Sequence, residues 1–174
     1  MWNYTGKERP DFAVEPQEGQ ESVWDYPRPP MLRPEKRKVL IDFNGKIIAE
    51  SNRVLKICET ASPPTYYIPM SDVNMDYLKE DSGSSFCEWK GAAKYYEVEV
   101  GGKGAGRVAW TYPQPRGLFA AIAGHLSFYA TPLECYLDDE RVRPQDSAGF
   151  YGGWVTDEIV GPWKGGDDPR AQGL

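Results

Sequence analysis

The sequence is short of the side chains that build most metal and nucleophile sites. It has one histidine, His125, and three cysteines, Cys58, Cys87 and Cys135. The cysteines are odd in number, far apart and without a C-x-x-C pair, so neither a disulfide framework nor a metal site is expected. Phosphate cradles are missing as well. There is no G-x-x-x-x-G-K-[ST] and no Rossmann fingerprint, and the glycine-rich stretch 101–106 (GGKGAG) sits inside a hairpin with no helix after it. No G-x-S-x-G elbow occurs. No apolar run approaches the ~20 residues that cross a bilayer, and no charged start precedes an apolar segment at the N-terminus. These absences predict a cytoplasmic protein with reduced thiols and no membrane partner.

Positive charge is also in deficit: 20 Lys and Arg against 26 Asp and Glu give a net charge of −6. Such a chain repels phosphate backbones, so no nucleic-acid partner is expected. The densest basic run, Lys36-Arg37-Lys38, reads as a solvated linker before a strand.

What the chain does have is 18 Gly, 15 Pro, 11 Tyr and 6 Trp in 174 residues. Many turn formers together with many aromatics favour short strands over long helices, and the length suits one mostly-β domain. Residues 1–37 read as an extended arm, because Pro10, Pro16, Pro27, Pro29, Pro30 and Pro34 leave no periodicity intact. The arm also carries Trp2, Tyr4, Phe12, Trp24 and Tyr26, too many rings for a disordered tail. Its first ~20 residues are expected to be mobile, while residues 24–27 (WDYP) dock on the core.

The core is expected over residues 38–143. Val39, Ile41 and Phe43 alternate onto one face, and Asn44-Gly45 is a strong type I′ hairpin signal. A strand over 53–59 puts Leu55, Ile57 and Glu59 on one side. A helical turn capped by Ser71 and a polar loop over 79–84 follow. A second hairpin joins 94–100 to 107–112 and places Val108, Trp110 and Tyr112 on one face. Residues 118–124 (LFAAIAG) read as the one real helix, with His125 capping its end. From residue 144 the chain becomes a glycine–aromatic belt in which Phe150, Tyr151, Trp154 and Trp163 lie on the core. The last eight residues read as frayed.

Two residues invite chemistry. Glu59 ends a strand on an apolar face, where a carboxylate is costly unless paired. Cys87 neighbours Lys90, whose charge favours a thiolate, although nothing in the sequence pairs it with His125.

The segments 39–50 (VLIDFNGKIIAE), 59–69 (ETASPPTYYIP), Asp72-Val73, 86–93 (FCEWKGAA), 108–112 (VAWTY), 121–129 (AIAGHLSFY) and 138–142 together resemble domain-of-unknown-function family 427, also catalogued as nucleotidyltransferase-like. The arm 21–30 (ESVWDYPRPP) and the tail 149–166 resemble its longer subgroup. The resemblance implies a β-tent, a curved sheet or barrel with one or two short helices, similar to methionine-R-sulfoxide reductases. Those relatives hold zinc between C-x-x-C knuckles that this chain lacks, so neither zinc nor reductase chemistry carries over. The matched positions are Glu59, Tyr67, Pro69, Asp72, Cys87, Lys90, Gly91, Trp110 and Tyr112. The nucleotidyltransferase label finds no support: no Gly-Ser is followed by paired aspartates for Mg²⁺ and a triphosphate.

Three functional classes remain. The first is a small-molecule enzyme with Glu59 as acid/base, Lys90 as its electrostatic partner, the pair staying ionised only if hydrogen-bonded within roughly 4 Å, and Tyr67 or Tyr112 as a phenolic donor. Trp110, Cys87, Asp72 and Trp89 then line the binding pocket. The second is a binding module with the same pocket and no chemistry. The third is an interaction protein whose aromatic arm or tail engages a partner or a second copy. No residue pattern names a cofactor.

Overall fold

The computed structural model describes residues 3–172; Trp2, Gly173 and Leu174 lie outside the described residues. The chain is mostly β. In order, its strands are β1 (Glu21–Ser22), β2 (Met31–Glu35), β3 (Val39–Phe43), β4 (Lys46–Ser51), β5 (Val54–Cys58), β6 (Thr65–Pro69), β7 (Leu78–Cys87), β8 (Gly91–Val100), β9 (Lys103–Thr111), β10 (His125–Phe128), β11 (Glu134–Leu137), β12 (Glu140–Arg141), β13 (Arg143–Pro144), β14 (Trp154–Val155) and β15 (Ile159–Val160). A curled seven-stranded antiparallel sheet has the order β2-β5-β6-β10-β9-β8-β7, and a four-stranded sheet the order β12-β11-β3-β4. Two short ribbons, β1–β15 and β13–β14, attach the chain's outer segments. Among the described residues no helix is long and apolar enough to cross a membrane.

The main core lies between the two large sheets. Val39, Ile41 and Phe43 of β3 meet Tyr66, Ile68, Val98, Leu126 and Phe128 of the larger sheet. The β3–β4 hairpin turns at Asn44 and Gly45, both with positive φ (50° and 78°), as a type I′ turn requires. One extra residue in β4 opposite Ile41 and Asp42 breaks strict alternation, so Ile48 and Ala49 are both buried. Alternation along β6 sends Tyr66 to this core and Tyr67 to a second cluster, with Ile57, Ala93, Trp110, Tyr112, Phe119 and Ile122.

Several local expectations are overturned. Residues 118–124 do not form an α-helix; Gly117–Ile122 is a 3₁₀ turn. Pro115 and Gly124 leave too few residues between them to repay α-helix nucleation. His125 accordingly starts β10 instead of capping a helix, with its Nδ1 3.0 Å from the Ala123 carbonyl. Ser71 caps nothing: Met70–Asp72 and Met75–Tyr77 are separate 3₁₀ turns, and Asn74 caps the second by accepting from Asp76 N. The polar stretch 79–84 belongs to β7, an edge strand whose mostly exposed faces leave no apolar period to read. The second hairpin turns over Gly101-Gly102 alone, and Lys103 already pairs with Val100. Val108 packs in the main core, whereas Trp110 and Tyr112 join the second cluster.

The outer segments are held by specific contacts. Residues 31–35, read as arm, form β2, with Pro34 on a sheet edge where its missing N–H costs no ladder bond. Trp24 is fully buried and donates from Nε1 to the Pro162 carbonyl at 2.8 Å. The stretch expected to be mobile packs here too: Tyr4 and Phe12 meet Trp24 edge-on, and Arg9 grips Asp25 through two bonds of 2.7 Å. Trp154 stacks on Tyr66 and donates to the Phe128 carbonyl at 2.7 Å. Phe150 departs from the expected belt and is 75% exposed. Nor is Arg37 a solvated linker residue. With Lys56, Glu35 and Glu158 it forms a largely buried cluster joining β2 and β5 to the C-terminal segment. Burial pushes the Glu35 pKa up, but hydrogen bonds from Arg37 and the charges of Lys56 and Arg37 prevail and hold it at about 2.

Candidate functional site

The site lies on the face of the seven-stranded sheet opposite the main core. Cys87 and Gly91 pair as the last rungs of the β7–β8 hairpin, leaving Glu88, Trp89 and Lys90 as its loop. Gly91 takes φ +101°, a conformation L side chains rarely adopt, and this lets the chain reverse with Lys90 turned under the aromatic cluster. Lys90 is only 8% exposed. Its ammonium sits 5.5 Å from the Tyr112 ring centroid, in cation–π geometry.

Glu59 follows β5 directly and opens a loop of residues 59–63 that is pinned from outside. Ala61 is fully buried at φ 68°, a left-handed conformation costing a non-glycine residue about 1–3 kcal/mol. Its N–H donates to the Val23 carbonyl at 2.9 Å, and its carbonyl accepts from Lys164 N at 3.0 Å. Thr60 Oγ1 donates to the Tyr26 carbonyl at 2.5 Å. Arm and tail thus hold the strained turn that aims Glu59.

Glu59 and Lys90 line one cavity of about 120 Å³ together with Ile57, Ser62, Pro63 and Thr65. Gln145, Tyr151, Gly152 and Gly153 close it from the C-terminal segment. The two glycines are there for space. A Cβ on Gly152 would lie 2.2 Å from Trp110, and one on Gly153 2.6 Å from the Pro63 carbonyl oxygen. Gln145 is committed to structure, accepting from Gly153 N at 3.0 Å and donating to the Lys164 carbonyl at 2.8 Å.

The electrostatics are unusual for a buried cation. Burial works to lower the Lys90 pKa, but Tyr67, Cys87 and the Glu59 carboxylate act the other way and prevail, so it stands above the ordinary 10.5. Lys90 is therefore an ammonium at neutral pH. Glu59 and Lys90 do not come close enough to form the ion pair expected of them, and Lys90 leans on the Tyr67 hydroxyl instead. Thr65 Oγ1 donates to that same hydroxyl at 3.3 Å. The two side chains come from different elements: Glu59 follows the end of β5, while Lys90 enters from the β7–β8 hairpin loop. Burial holds the Tyr112 phenol far above the usual tyrosine range, so it stays protonated.

The remaining candidates scatter. Cys87 and Trp89 pack against the cluster without lining the cavity, and Arg28 sits over Trp89, 5.8 Å from the ring centroid. Trp110 tilts on Tyr129 at 4.8 Å and forms the cavity's backing through Gly152. Asp72 lies elsewhere. It holds Arg53 at 2.8 Å and accepts from Ser51 Oγ at 2.5 Å, and Arg53 keeps its carboxyl below the ordinary range. Among the described residues no group of three or more His, Cys, Asp or Glu is placed to hold a metal ion. Sequence reasoning missed Ser62, Thr65, Gln145, Tyr151, Gly152 and Gly153. The one signal available was the Gly152-Gly153 pair before Trp154, which marks a close approach.

No curated protein matches the chain. A family model does, over residues 31–139, which cover more than half the chain and exclude the arm before β2 and the C-terminal segment. The chain belongs to the family described as a domain of unknown function (DUF427).

Proposed function

We propose that this protein binds a small polar molecule in the cavity between Glu59 and Lys90 and acts on it by acid–base chemistry. One observation carries the reading: a carboxylate with no hydrogen bond of its own and a buried ammonium with no ion pair share a cavity. Unpaired groups are expensive in such a place, and functional sites are where that cost is tolerated. Glu59 is the proton acceptor. Lys90, held charged, is no amine nucleophile; it stabilises negative charge developing on the ligand. Tyr67 and Tyr112 keep it in place, Tyr112 as a neutral ring. The interaction alternative, through the aromatic arm or tail, finds one exposed ring among the described residues of those segments, Phe150, since Tyr4, Phe12, Trp24, Tyr26, Tyr151, Trp154 and Trp163 are buried or half-buried.

The test is a small-metabolite stabilisation screen, preceded by native mass spectrometry of protein from its source. A hit should raise the melting temperature of the wild type but not of Glu59→Gln or Lys90→Met. Stabilisation that survives in both variants would remove the site from this cavity.

A further inference from the structure

We infer that the ligand is a small carboxylate bearing an O–H or N–H donor on the carbon next to its carboxyl group, a 2-hydroxy or 2-amino acid. This rests on the proposed site and names what it takes. Several polar groups of the cavity are already committed to partners within the protein. Gln145 is used at both ends, the Thr65 hydroxyl at Tyr67, and the Gly153 N–H at Gln145. Four side-chain groups remain for a ligand: the Lys90 ammonium, the Glu59 carboxylate and the Ser62 and Tyr151 hydroxyls.

An ammonium has three donors and no acceptor. Tyr67 occupies one side of it and the Tyr112 ring another. What is left faces a cavity that supplies no carboxylate at pairing distance, so an anionic oxygen from the ligand completes the set. The Glu59 carboxylate accepts only. It repels a second anionic end and calls for a donor. The cavity, at about 120 Å³, is far smaller than the roughly 300–1,000 Å³ of sites for drug-sized ligands. An occupant of that size carries its donor and its anion close together, and a 2-hydroxy or 2-amino acid is the smallest carboxylate that does so, whereas long dicarboxylates and nucleotides do not fit whole. Tyr151, Gly152 and Gly153 set that limit, and they lie outside the matched family segment.

The experiment titrates ¹⁵N-labelled wild-type protein with glycolate, glycine and acetate. It follows the amides of Ser62, Gly152 and Gly153. Glycolate and glycine should give saturable shifts at these amides, and acetate should bind about ten-fold more weakly because it leaves Glu59 without a donor. Lys90→Met should abolish binding of all three, and Glu59→Gln should weaken glycine more than glycolate, since only glycine presents a full positive charge. Equal affinity for acetate, or no saturable shift at these amides in the wild type, would overturn the inference; neither depends on a variant folding. If the stabilisation screen instead yields neutral or cationic ligands lost in Glu59→Gln, this ligand assignment falls while the proposed function stands.

Discussion

The two faces of the seven-stranded sheet are built to different rules. One packs against a second sheet and is filled mainly by Val, Ile, Leu, Ala and Phe, with Tyr66, Trp154 and Cys135 the buried side chains that carry polar atoms or a thiol. The other is covered by a 3₁₀ turn of six residues and by a single pass of the C-terminal segment. It carries Tyr67, Tyr112 and Trp110, buries Lys90, and leaves a cavity. A sheet face closed by another sheet has repeating partners along every strand. A face closed by a turn and a strap has them only where those pieces reach, and a buried charge persists where they stop. The contrast teaches that stability is concentrated on one side of the sheet, which leaves the other room for a buried charge and a cavity.

The sharpest way to break that contrast is Trp154→Ala. Its indole belongs to the strap but is inserted into the main core, stacked on Tyr66 at 4.9 Å. Truncating it should cost about 3–5 kcal/mol in denaturant unfolding; a loss under 1 kcal/mol would mean that the strap is merely draped. Gly152→Ala comes next. Its new Cβ would strike the Trp110 ring, so a loss of about 1–3 kcal/mol is expected, together with a smaller or displaced cavity. Unchanged stability would show that the strap can lift away.

A third measurement sharpens the boundary between the strap and the sheet. The Glu35 pKa is lowered from 4.5 to about 2 in the folded protein. A depressed carboxyl pKa contributes stability that is fully present above 4.5 and lost as pH falls through about 2. Urea midpoints should therefore decline across that window, and Glu35→Gln should flatten this limb. At the other extreme, Lys90 has a raised pKa, so its contribution is full below 10.5 and lost as pH rises through its folded value. The smallest effect belongs to Phe150→Ser. At 75% exposure the change should stay within about 0.5 kcal/mol, and a larger loss would reveal a contact of this ring in a higher assembly.

The legible parts of the molecule were those with local causes. Val39, Ile41 and Phe43 announced a half-buried strand, and Asn44-Gly45 announced the turn after it. Docking of Trp24 and Tyr26 followed from rings too numerous for a solvated arm. Illegible were the elements whose cause lies elsewhere in space. Strand β7 carries Lys79, Glu80, Asp81 and Ser82 because it is an edge, so its pattern resembled a loop. Arg37 looked like part of a basic run, since its carboxylate Glu158 is 121 positions away. Of the site, Glu59, Lys90, Tyr67 and Tyr112 stood out as polar groups beside apolar or aromatic ones. Gln145 and Gly153 did not, because each matters only through the other segment it touches.

By itself the sequence determined the mostly-β class, the hairpins and the pair of charged residues most expensive to bury. All of these follow from side-chain period, turn stereochemistry and desolvation, which act within a few residues. Only the tertiary structure decided that Glu59 and Lys90 line one cavity without forming an ion pair. That depends on where β5 ends, how the β7–β8 loop reverses, and how closely a strap from residues 145–153 lies over Trp110. Separations of this kind are set by the packing of segments far apart in the chain, and no local pattern encodes them.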